Sequence, residues 1–346
     1  MTRRAGPASN LSRRRCLQAS VAAALPLRCA ATPAVPAGSP EQASRNVAQP
    51  FTFALVGDVP SSPMEEVLHA RVLERLDPDC AFVIHIGDLK SGGESCDDEL
   101  LTRRHRLLDR GSALPMVFVP GDNDWVDCVR PSNGRHDPVE RLQFLRRLFF
   151  ARPLSIGPRP FSVERQSDLE PGTPYAENLR WTYGQATFVT LNVPGDVEWH
   201  RLDPAQGEAV RRVLAAGQRW LRRAFADNRQ QVLVIAAHAD PRFGRDRVGS
   251  ASLQAGDTHR GYRALLRELC VGFDGQVLLV HGDTHLFRND QPLRGDDGRV
   301  IRNLTRVESF GSPFASSWVH VRVTPGADEP FFVNVRQLPP QPATHQ

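Results

Sequence analysis

Aspartate and histidine side chains follow apolar runs at five places along the chain. The residues concerned are Asp58, Asp88, Asp122, His238, Asp283 and His285. Carboxylates and imidazoles are ligands for divalent cations that hold substrate oxygen and activate water. Four carboxylates carry the charge that two such cations would balance. The pattern therefore predicts a metal site for two ions on one rim of a sheet.

The apolar runs have the composition of buried strands, and amphipathic helices lie between them. In the first half, strands are predicted at 51–57, 81–86 and 116–119, and helices at 64–76, 99–109 and 138–150. In the second half, a hairpin at 179–192 is followed by a helix with apolar positions from 210 to 225, a strand at 232–237, a helix at 259–270 and a strand at 277–280. Further strands are predicted at 301–307, 318–323 and 331–335. This order indicates one layered α/β domain whose binding residues lie at the carboxyl ends of strands.

The order of the motifs carries a family resemblance. The motifs read Gly57-Asp58, Gly87-Asp88, Gly121-Asp122-Asn123-Asp124, His238 and Gly282-Asp283-Thr284-His285. This series resembles the calcineurin-like metallophosphoesterase superfamily, whose usual pattern is DxH, GD, GNH(D/E), a lone His and GHxH. The resemblance covers about residues 51–287. It implies a layered α-β-β-α sandwich with mixed sheets and a dinuclear metal centre that hydrolyses phosphate esters.

The resemblance also implies a role for each motif residue. Asp58 and His285 would hold the first metal ion, and Asp88 would bridge both ions. The ligands of the second ion would be Asp122, His238 and Asp283. Asn123 stands where the superfamily has the histidine that assists the leaving group, and Asp124 stands where an acid orients that histidine.

Several residues depart from the usual pattern. Pro60 replaces the histidine of the first motif and cannot ligate a metal through its side chain. Asp122 and Asp283 replace neutral ligands with anions, which favours manganese or magnesium, with iron or zinc as alternatives. Asn123 can hydrogen-bond a phosphoryl oxygen but cannot donate a proton as an imidazolium does. The proton would then come from His281 or from a metal-bound water.

Lys90 is the single lysine of the chain and lies two residues after Asp88, beside Ser91-Gly92-Gly93. An ammonium group next to a glycine-rich loop can hold a phosphate. The alternative is a solvated loop cation. Both interpretations remain open from the sequence.

The first 50 residues predict export. Residues 1–31 resemble a twin-arginine signal, with Arg13-Arg14-Arg15 before a short, mildly apolar segment and small residues near 30–31. Residues 32–50 are predicted to be a flexible spacer, and residues 51–346 a single catalytic domain. The expected partners are the export machinery and a small phosphorylated substrate in the periplasm or outside the cell.

Charge and apolar runs exclude other classes of partner. Without the six arginines of residues 1–40 the net charge falls from +4 to −2, which gives no electrostatic basis for binding nucleic acid. No apolar run reaches 18 residues, so no membrane span is expected in the mature protein. In an oxidising compartment Cys96 and Cys128 could pair, because each lies in a polar loop a few residues after a motif.

Two functions fit these observations. The first is an exported hydrolase in which metal-bound hydroxide attacks a phosphate ester, with Lys90 or Asn123 neutralising charge on the oxygens. The second is a non-catalytic protein of the same fold that binds metal or a phosphorylated ligand. Pro60 and Asn123 are the departures that motivate the second function.

Overall fold

Twelve strands and six helices make up the computed structural model, which describes residues 49–246 and 257–339. These residues belong to one compact unit that spans Asn46–Gln346. The predicted export signal and nearly all of the predicted spacer lie outside the described residues. None of the helices in the described part of the chain has the length and apolar character needed to cross a membrane.

The strands form two mixed sheets. A five-stranded sheet has the order β12-β11-β1-β2-β3, and a seven-stranded sheet has the order β4-β5-β6-β7-β8-β10-β9. The parallel strands are β1-β2-β3 in the first sheet, with β3 at its edge, and β6-β7-β8-β10 in the second. The strands are β1 Phe51–Val56, β2 Cys80–His85, β3 Met116–Phe118, β4 Glu164–Arg165, β5 Leu179–Tyr183, β6 Ala186–Leu191, β7 Val232–Ala237, β8 Gln276–His281, β9 Arg288–Asp290, β10 Leu304–Glu308, β11 Ser317–Val323 and β12 Phe331–Gln337.

Four of the six α-helices begin at a residue whose side chain caps the first backbone amides. Ser62, Asp97, Asp137 and Asp203 each accept hydrogen bonds from amides of the first turn that follows. The helices are α1 Pro63–Arg75, α2 Asp98–Gly111, α3 Pro138–Phe149, α4 Gln166–Leu169, α5 Pro204–Asp227 and α6 Arg260–Val271. Every longer predicted helix is present, while the short elements β4, β9 and α4 were not predicted.

Alternating residues of the buried strands contact different layers. In β7, Val232, Val234 and Ala236 pack into the core between the sheets, whereas Leu233, Ile235 and Ala237 pack with Trp220 of α5 and Leu266 of α6. Between the sheets, the ring centroid of Phe188 lies 5.1 Å from that of Phe82 and 5.6 Å from that of Phe53. Both faces of these strands are covered, and the predicted α-β-β-α sandwich with mixed sheets is confirmed.

Candidate metal centre

Backbone conformation sets apart four of the predicted ligands. Asp58, Asp88, Asp283 and His285 have φ values of 56°, 55°, 80° and 63°, in the left-handed region. A residue other than glycine costs on the order of 1–3 kcal/mol in such a conformation and persists only where its surroundings enforce it. The turns follow β1, β2 and β8 directly, so the strain lies where each strand ends at the same rim.

Asp58 and Asp88 come from the five-stranded sheet. Asp58 Oδ1 accepts a hydrogen bond from the Asp283 amide at 3.0 Å, while its Oδ2 is buried and has no hydrogen-bond partner among the described residues. Both oxygens of Asp88 accept from Asn123, Oδ1 from the backbone amide at 3.1 Å and Oδ2 from Nδ2 at 2.7 Å. The two carboxylates are therefore held in place, and Asp58 Oδ2 is free to bind a cation.

His238 lies between the carboxylates of both sheets. Its Nδ1 is 2.7 Å from the Ile86 carbonyl, which can only accept, so Nδ1 carries the proton. Nε2 then faces Asp122 Oδ1 at 3.1 Å and Asp88 Oδ1 at 3.5 Å. A carbonyl on one imidazole nitrogen commonly fixes the other as the metal ligand.

Two overlapping groups of ligand atoms share His238. One contains Asp58, Asp88 and His238, and the other contains Asp122, His238 and Asp283. Within each group the ligand atoms all lie within 4.8 Å of one another. The structure thus brings together the residues predicted for the second ion, and it places the predicted bridging carboxylate beside Asp58.

His285 occupies the open side of the centre. Its Nδ1 donates to the Ser312 carbonyl at 2.7 Å, and its Nε2 lies 3.6 Å from Asp58 Oδ1. About a third of the side chain, 35%, is exposed, whereas Asp58 and His238 are fully buried. All six predicted ligands are therefore at one site, and solvent reaches it at His285.

Glycines leave the space that the carboxylates occupy. A Cβ atom on Gly121 would lie 2.1 Å from Asp88 Oδ1, and one on Gly282 would lie 2.1 Å from Asp58 Oδ2. A Cβ on Gly195 would lie 2.8 Å from an oxygen of both Asp122 and Asp283. Sequence reasoning missed Gly195, although Pro194-Gly195-Asp196 follows β6 as Gly-Asp pairs follow other strands.

Burial dominates the protonation of the carboxylates. It raises the pKa of Asp58 to about 6, and it raises the pKa values of Asp88 and Asp283 above the usual range. Asp122 is also buried, but the hydrogen bond from His238 and the charge of that ring hold its pKa at about 2. Burial opposes a charge on His238 as well, yet Asp88, Asp122 and Asp58 outweigh it and raise the pKa of His238 well above 6.5. Crowded carboxylates of this kind are stabilised by a cation, which the residues present fit in charge and in donor type.

Asn123 and Asp124 support the ligands. The Asn123 amide donates to Asp88, and its Oδ1 is buried with no hydrogen-bond partner among the described residues. Asp124 accepts from the backbone amides of Asp88, Leu89 and Gly121 at 2.9, 2.7 and 2.7 Å. Asp124 therefore fixes the two loops that carry Asp88 and Asp122, and its hydrogen bonds go to these amides rather than to the Asn123 side chain.

Lys90 is fully buried, which contradicts the interpretation as a solvated loop cation. Its Nζ donates to the Ser91 carbonyl at 3.1 Å, and its charge acts on Asp124 and Asp88. Burial lowers the pKa of the ammonium group, and these carboxylates partly oppose that change. With no exposed surface, the side chain is not open to a phosphate from solvent in this conformation, so its position is that of a counter-charge beneath the carboxylates.

His281 belongs to a neighbouring group of side chains. Its Nδ1 bonds with the Gly282 carbonyl at 2.9 Å, and its Nε2 lies 3.9 Å from Glu308 Oε2. Burial lowers its pKa to about 4, so the ring is neutral near pH 7. A neutral, fully buried imidazole beside Glu308 is not arranged to supply the proton that Asn123 lacks.

The disulfide between Cys96 and Cys128 joins the two loops next to Asn123. The Cα atoms are 5.7 Å apart, as this bond requires. The pairing considered from the sequence is therefore present in the structure. It ties the loop that follows Lys90 to the turn that follows Asp124.

Comparisons with protein-family models and with curated protein sequences find no match. Among solved structures, the chain is similar to a dimetal phosphatase from Danio rerio, with 13% identity over 83% of this chain and 96% of that one, and a TM-score of 0.44. It is also similar to phosphopantetheinyl hydrolase from Mycobacterium tuberculosis, with 16% identity over 78% and 92% and a TM-score of 0.41. A third structure, GAP50, the anchor in the inner membrane complex of Plasmodium, has 10% identity over 83% and 84% and a TM-score of 0.45. At these identities the likeness concerns the fold alone.

Proposed function

We propose that the protein is a metal-dependent hydrolase of phosphate esters. The observation that carries the proposal is the position of His238 Nε2, 3.1 Å from Asp122 and 3.5 Å from Asp88, at the centre of two ligand groups. Asp58 and His285 would hold one divalent ion, Asp122, His238 and Asp283 would hold the other, and Asp88 would bridge both. When bound, such ions neutralise phosphoryl oxygens and acidify a water molecule.

Three further residues position the metal ligands or balance their charge. Asn123 orients both oxygens of Asp88, and Asp124 fixes the loop amides of Asp88 and Gly121. Lys90 lies beneath them as a buried counter-charge. Because two ligands are carboxylates where the superfamily has neutral groups, we propose manganese or magnesium as the ions, with iron and zinc as alternatives.

The asparagine at position 123 affects which substrates react fast. An amide cannot protonate a departing alkoxide, so the rate should depend steeply on the acidity of the leaving group. We expect aryl phosphates to be cleaved much faster than alkyl phosphates. Asn123→His should raise the rate for alkyl phosphates more than for aryl phosphates, and an equal change for both would contradict this role.

The central test combines metal analysis with turnover of 4-nitrophenyl phosphate. Wild-type protein reconstituted with Mn²⁺ should contain two ions per chain, and Asp88→Asn should lose at least one ion together with about 10²-fold or more of the activity. Asp97→Asn is the matched control, since the Asp97 carboxylate caps α2 through the Leu100 amide and is not one of the predicted ligands. Full turnover by Asp88→Asn would refute the proposal.

A second candidate is a non-catalytic protein that binds metal or a phosphorylated ligand. The bond between Asn123 Nδ2 and Asp88 Oδ2 favours it, because that amide is then not directed at a substrate. Protein that binds one ion or none and cleaves neither monoesters nor diesters would support this candidate. Two bound ions without turnover would instead direct the search to other phosphate esters.

We further propose that the protein is exported to the periplasm or beyond. The arginine-rich leader of residues 1–31 supports this proposal, and so does the disulfide, which oxidising compartments maintain. Replacement of Arg13, Arg14 and Arg15 by lysine should retain the protein in the cytoplasm of a bacterium with twin-arginine export. Unchanged export by this variant would contradict the proposal.

A further inference from the structure

A cavity of about 390 Å³ lies next to the metal centre and has four arginines in its wall. We call it the arginine cavity, and its charged lining residues are Arg242, Arg288, Arg294, Arg306, Asp240 and Asp290. The guanidinium groups outnumber the carboxylates in this lining by two. The carboxylates of Asp196 and Glu308, which pair with Arg242 and Arg288, lie outside the lining.

Asp240 is the wall between the cavity and the metal centre. Its backbone amide donates to Asp283 Oδ2 at 3.0 Å, while its carboxylate lies 3.3 Å from Arg288 Nη1 and 3.7 Å from Arg306 Nη1. One residue therefore contacts a predicted metal ligand on one side and two arginines on the other. A ligand that spans this residue would reach both places.

Neighbouring side chains hold Arg306 and Arg288 in fixed orientations. Arg306 forms two parallel hydrogen bonds with Asp290, at 2.8 and 2.6 Å, and its guanidinium lies 5.8 Å from the centre of the Phe243 ring. Arg288 Nη1 contacts Glu308 at 2.5 Å. A guanidinium has five N–H donors, so each of these arginines keeps donors beyond its ion pair. Fixed guanidinium groups of this kind bind phosphate with two hydrogen bonds.

Arg242 and Arg294 complete the wall from two loops. Arg242 pairs with Asp196 at 2.5 Å and has a φ of 56°, the conformation also seen in four metal-centre residues. Arg294 is exposed, and its Nη1 contacts the Gly298 carbonyl at 3.1 Å. The partner of Arg294 is an uncharged carbonyl, and the partner of Arg242, Asp196, is 58% exposed. The positive charges of these two arginines are therefore only weakly neutralised and can attract an anionic ligand.

We propose that the arginine cavity binds a second phosphate group of the substrate. The inference rests on the proposed function and narrows it to phosphate esters that carry a distal phosphate. One phosphate would lie at the metal centre while the other contacts Arg294 and Arg306 across Asp240. The cavity would thereby favour substrates that carry a second negative charge away from the ester bond that is cleaved.

Matched substrates test this inference. Phenyl phosphate, benzene-1,4-diyl bisphosphate and biphenyl-4,4′-diyl bisphosphate differ in the presence and the position of a second phosphate. For at least one bisphosphate, wild-type kcat/KM should exceed that for phenyl phosphate by roughly tenfold or more, beyond the statistical advantage of two equivalent esters. Arg294→Ala and Arg242→Ala should each lower this ratio by about tenfold.

Arg299→Ala is the matched control. Arg299 lies in the same β9–β10 connection as Arg294, is 88% exposed and does not line the cavity, so its loss should leave the ratio unchanged. A wild-type ratio near the statistical value, or a ratio that Arg294→Ala and Arg242→Ala do not change, would overturn the inference and leave the hydrolase proposal standing.

A binding measurement separates the two proposals. Phosphonates are not hydrolysed, so their affinities for the Mn²⁺-loaded protein can be measured by calorimetry. The comparison is between two diphosphonates, benzene-1,4-diphosphonate and biphenyl-4,4′-diphosphonate, and phenylphosphonate. Preference for a diphosphonate that Arg294→Ala removes, in a protein that cleaves none of the esters, would support the phosphate subsite and not the hydrolase. Equal affinity for all three phosphonates would count against the subsite whatever the turnover.

Discussion

The metal centre and the arginine cavity lie on two sides of Asp240 and balance charge in different ways. In the metal centre, Asp58, Asp88 and Asp122 contact backbone amides, Asn123 and histidines. In the arginine cavity, Asp240 and Asp290 pair directly with guanidinium groups. Both regions are crowded with charge. In the described contacts guanidinium groups form ion pairs with carboxylates in the second region, whereas the first has the buried counter-charge of Lys90.

This difference indicates which kind of ligand each region accepts. A carboxylate that holds only amide or imidazole partners keeps oxygen lone pairs for a cation. A carboxylate in an ion pair with arginine does not, but the arginine keeps donors for an anion. Adjacent sites for cations and for an anion are what a phosphate ester with two charged ends requires.

The largest effect on stability is expected from Asp124→Asn. In the wild type, backbone amides donate to both oxygens of the Asp124 carboxylate. Asparagine would place an NH₂ group against one or more of these donors, so the exchange should lower the free energy of unfolding by about 3 kcal/mol or more. Urea unfolding of the metal-free protein measures this effect. Asp97→Asn is the control and should change stability by less than about 0.5 kcal/mol, because asparagine caps helices as well as aspartate does. Equal effects of both exchanges would show that Asp124 does not organise the centre.

Binding of metal ions at the metal centre should raise the free energy of unfolding, by slightly less than the loss expected from Asp124→Asn. At a free Mn²⁺ concentration one hundred times the dissociation constant, a single site adds about 2.7 kcal/mol to the free energy of unfolding. Asp58→Asn should abolish most of that gain, whereas Arg294→Ala should retain it. The measurement is thermal unfolding with and without Mn²⁺, and an identical gain in Asp58→Asn would contradict the assignment.

Added methyl groups should displace the carboxylates from the metal ions. Gly121→Ala and Gly282→Ala place a Cβ 2.1 Å from an oxygen of Asp88 and of Asp58, so we expect 10–100-fold weaker Mn²⁺ binding, as supporting residues typically give. The control is Gly217→Ala in α5, where a Cβ would meet nothing within 4 Å and alanine favours the helix. Calorimetry with Mn²⁺ distinguishes the variants, and unchanged affinity in both would show that the carboxylate positions do not matter.

The smallest effect is expected in the arginine cavity. Asp290 is 46% exposed, so Asp290→Asn should cost no more than about 1 kcal/mol of stability even though it breaks the pair with Arg306. The same exchange removes a negative charge from the cavity and should strengthen binding of a diphosphonate. A loss of stability as large as that of Asp124→Asn would mean that the two regions do not differ in the way described above.

The fold and the ligand set were largely predictable because they depend on periodic patterns. Runs such as Val232–Ala237 are buried on both faces and can only be central strands, and the Gly-Asp pairs mark the points where such strands end. The parallel order of these strands places their carboxyl ends on one rim. Local pattern and tertiary structure therefore agree for Asp58, Asp88, His238 and His285.

The directions of loop side chains were not predictable, because no periodicity governs them. Lys90 lies directly before the glycine-rich stretch Ser91-Gly92-Gly93, as a phosphate ligand could, but its side chain is buried and its charge acts on Asp124 and Asp88. His281 is the last residue of β8, directly before the final motif, and its side chain likewise faces Glu308 and not the metal centre. The backbone turns that follow the strands, with left-handed φ values at Asp58 and Asp88, are likewise not specified by residue type.

By itself the amino-acid sequence determined the α/β architecture and the rim on which the ligands collect, since both depend on hydrophobic period. The sequence allowed a bond between Cys96 and Cys128, and the structure shows that bond. Only the tertiary structure decided that Asn123 holds Asp88, that Lys90 is buried and that Arg242, Arg288, Arg294 and Arg306 line one cavity. Arg242 comes from the turn after β7, whereas Arg288, Arg294 and Arg306 come from β9, β10 and their connection. Their convergence depends on strand pairing, such as β9 on β10 and β10 on β8, that no local pattern encodes.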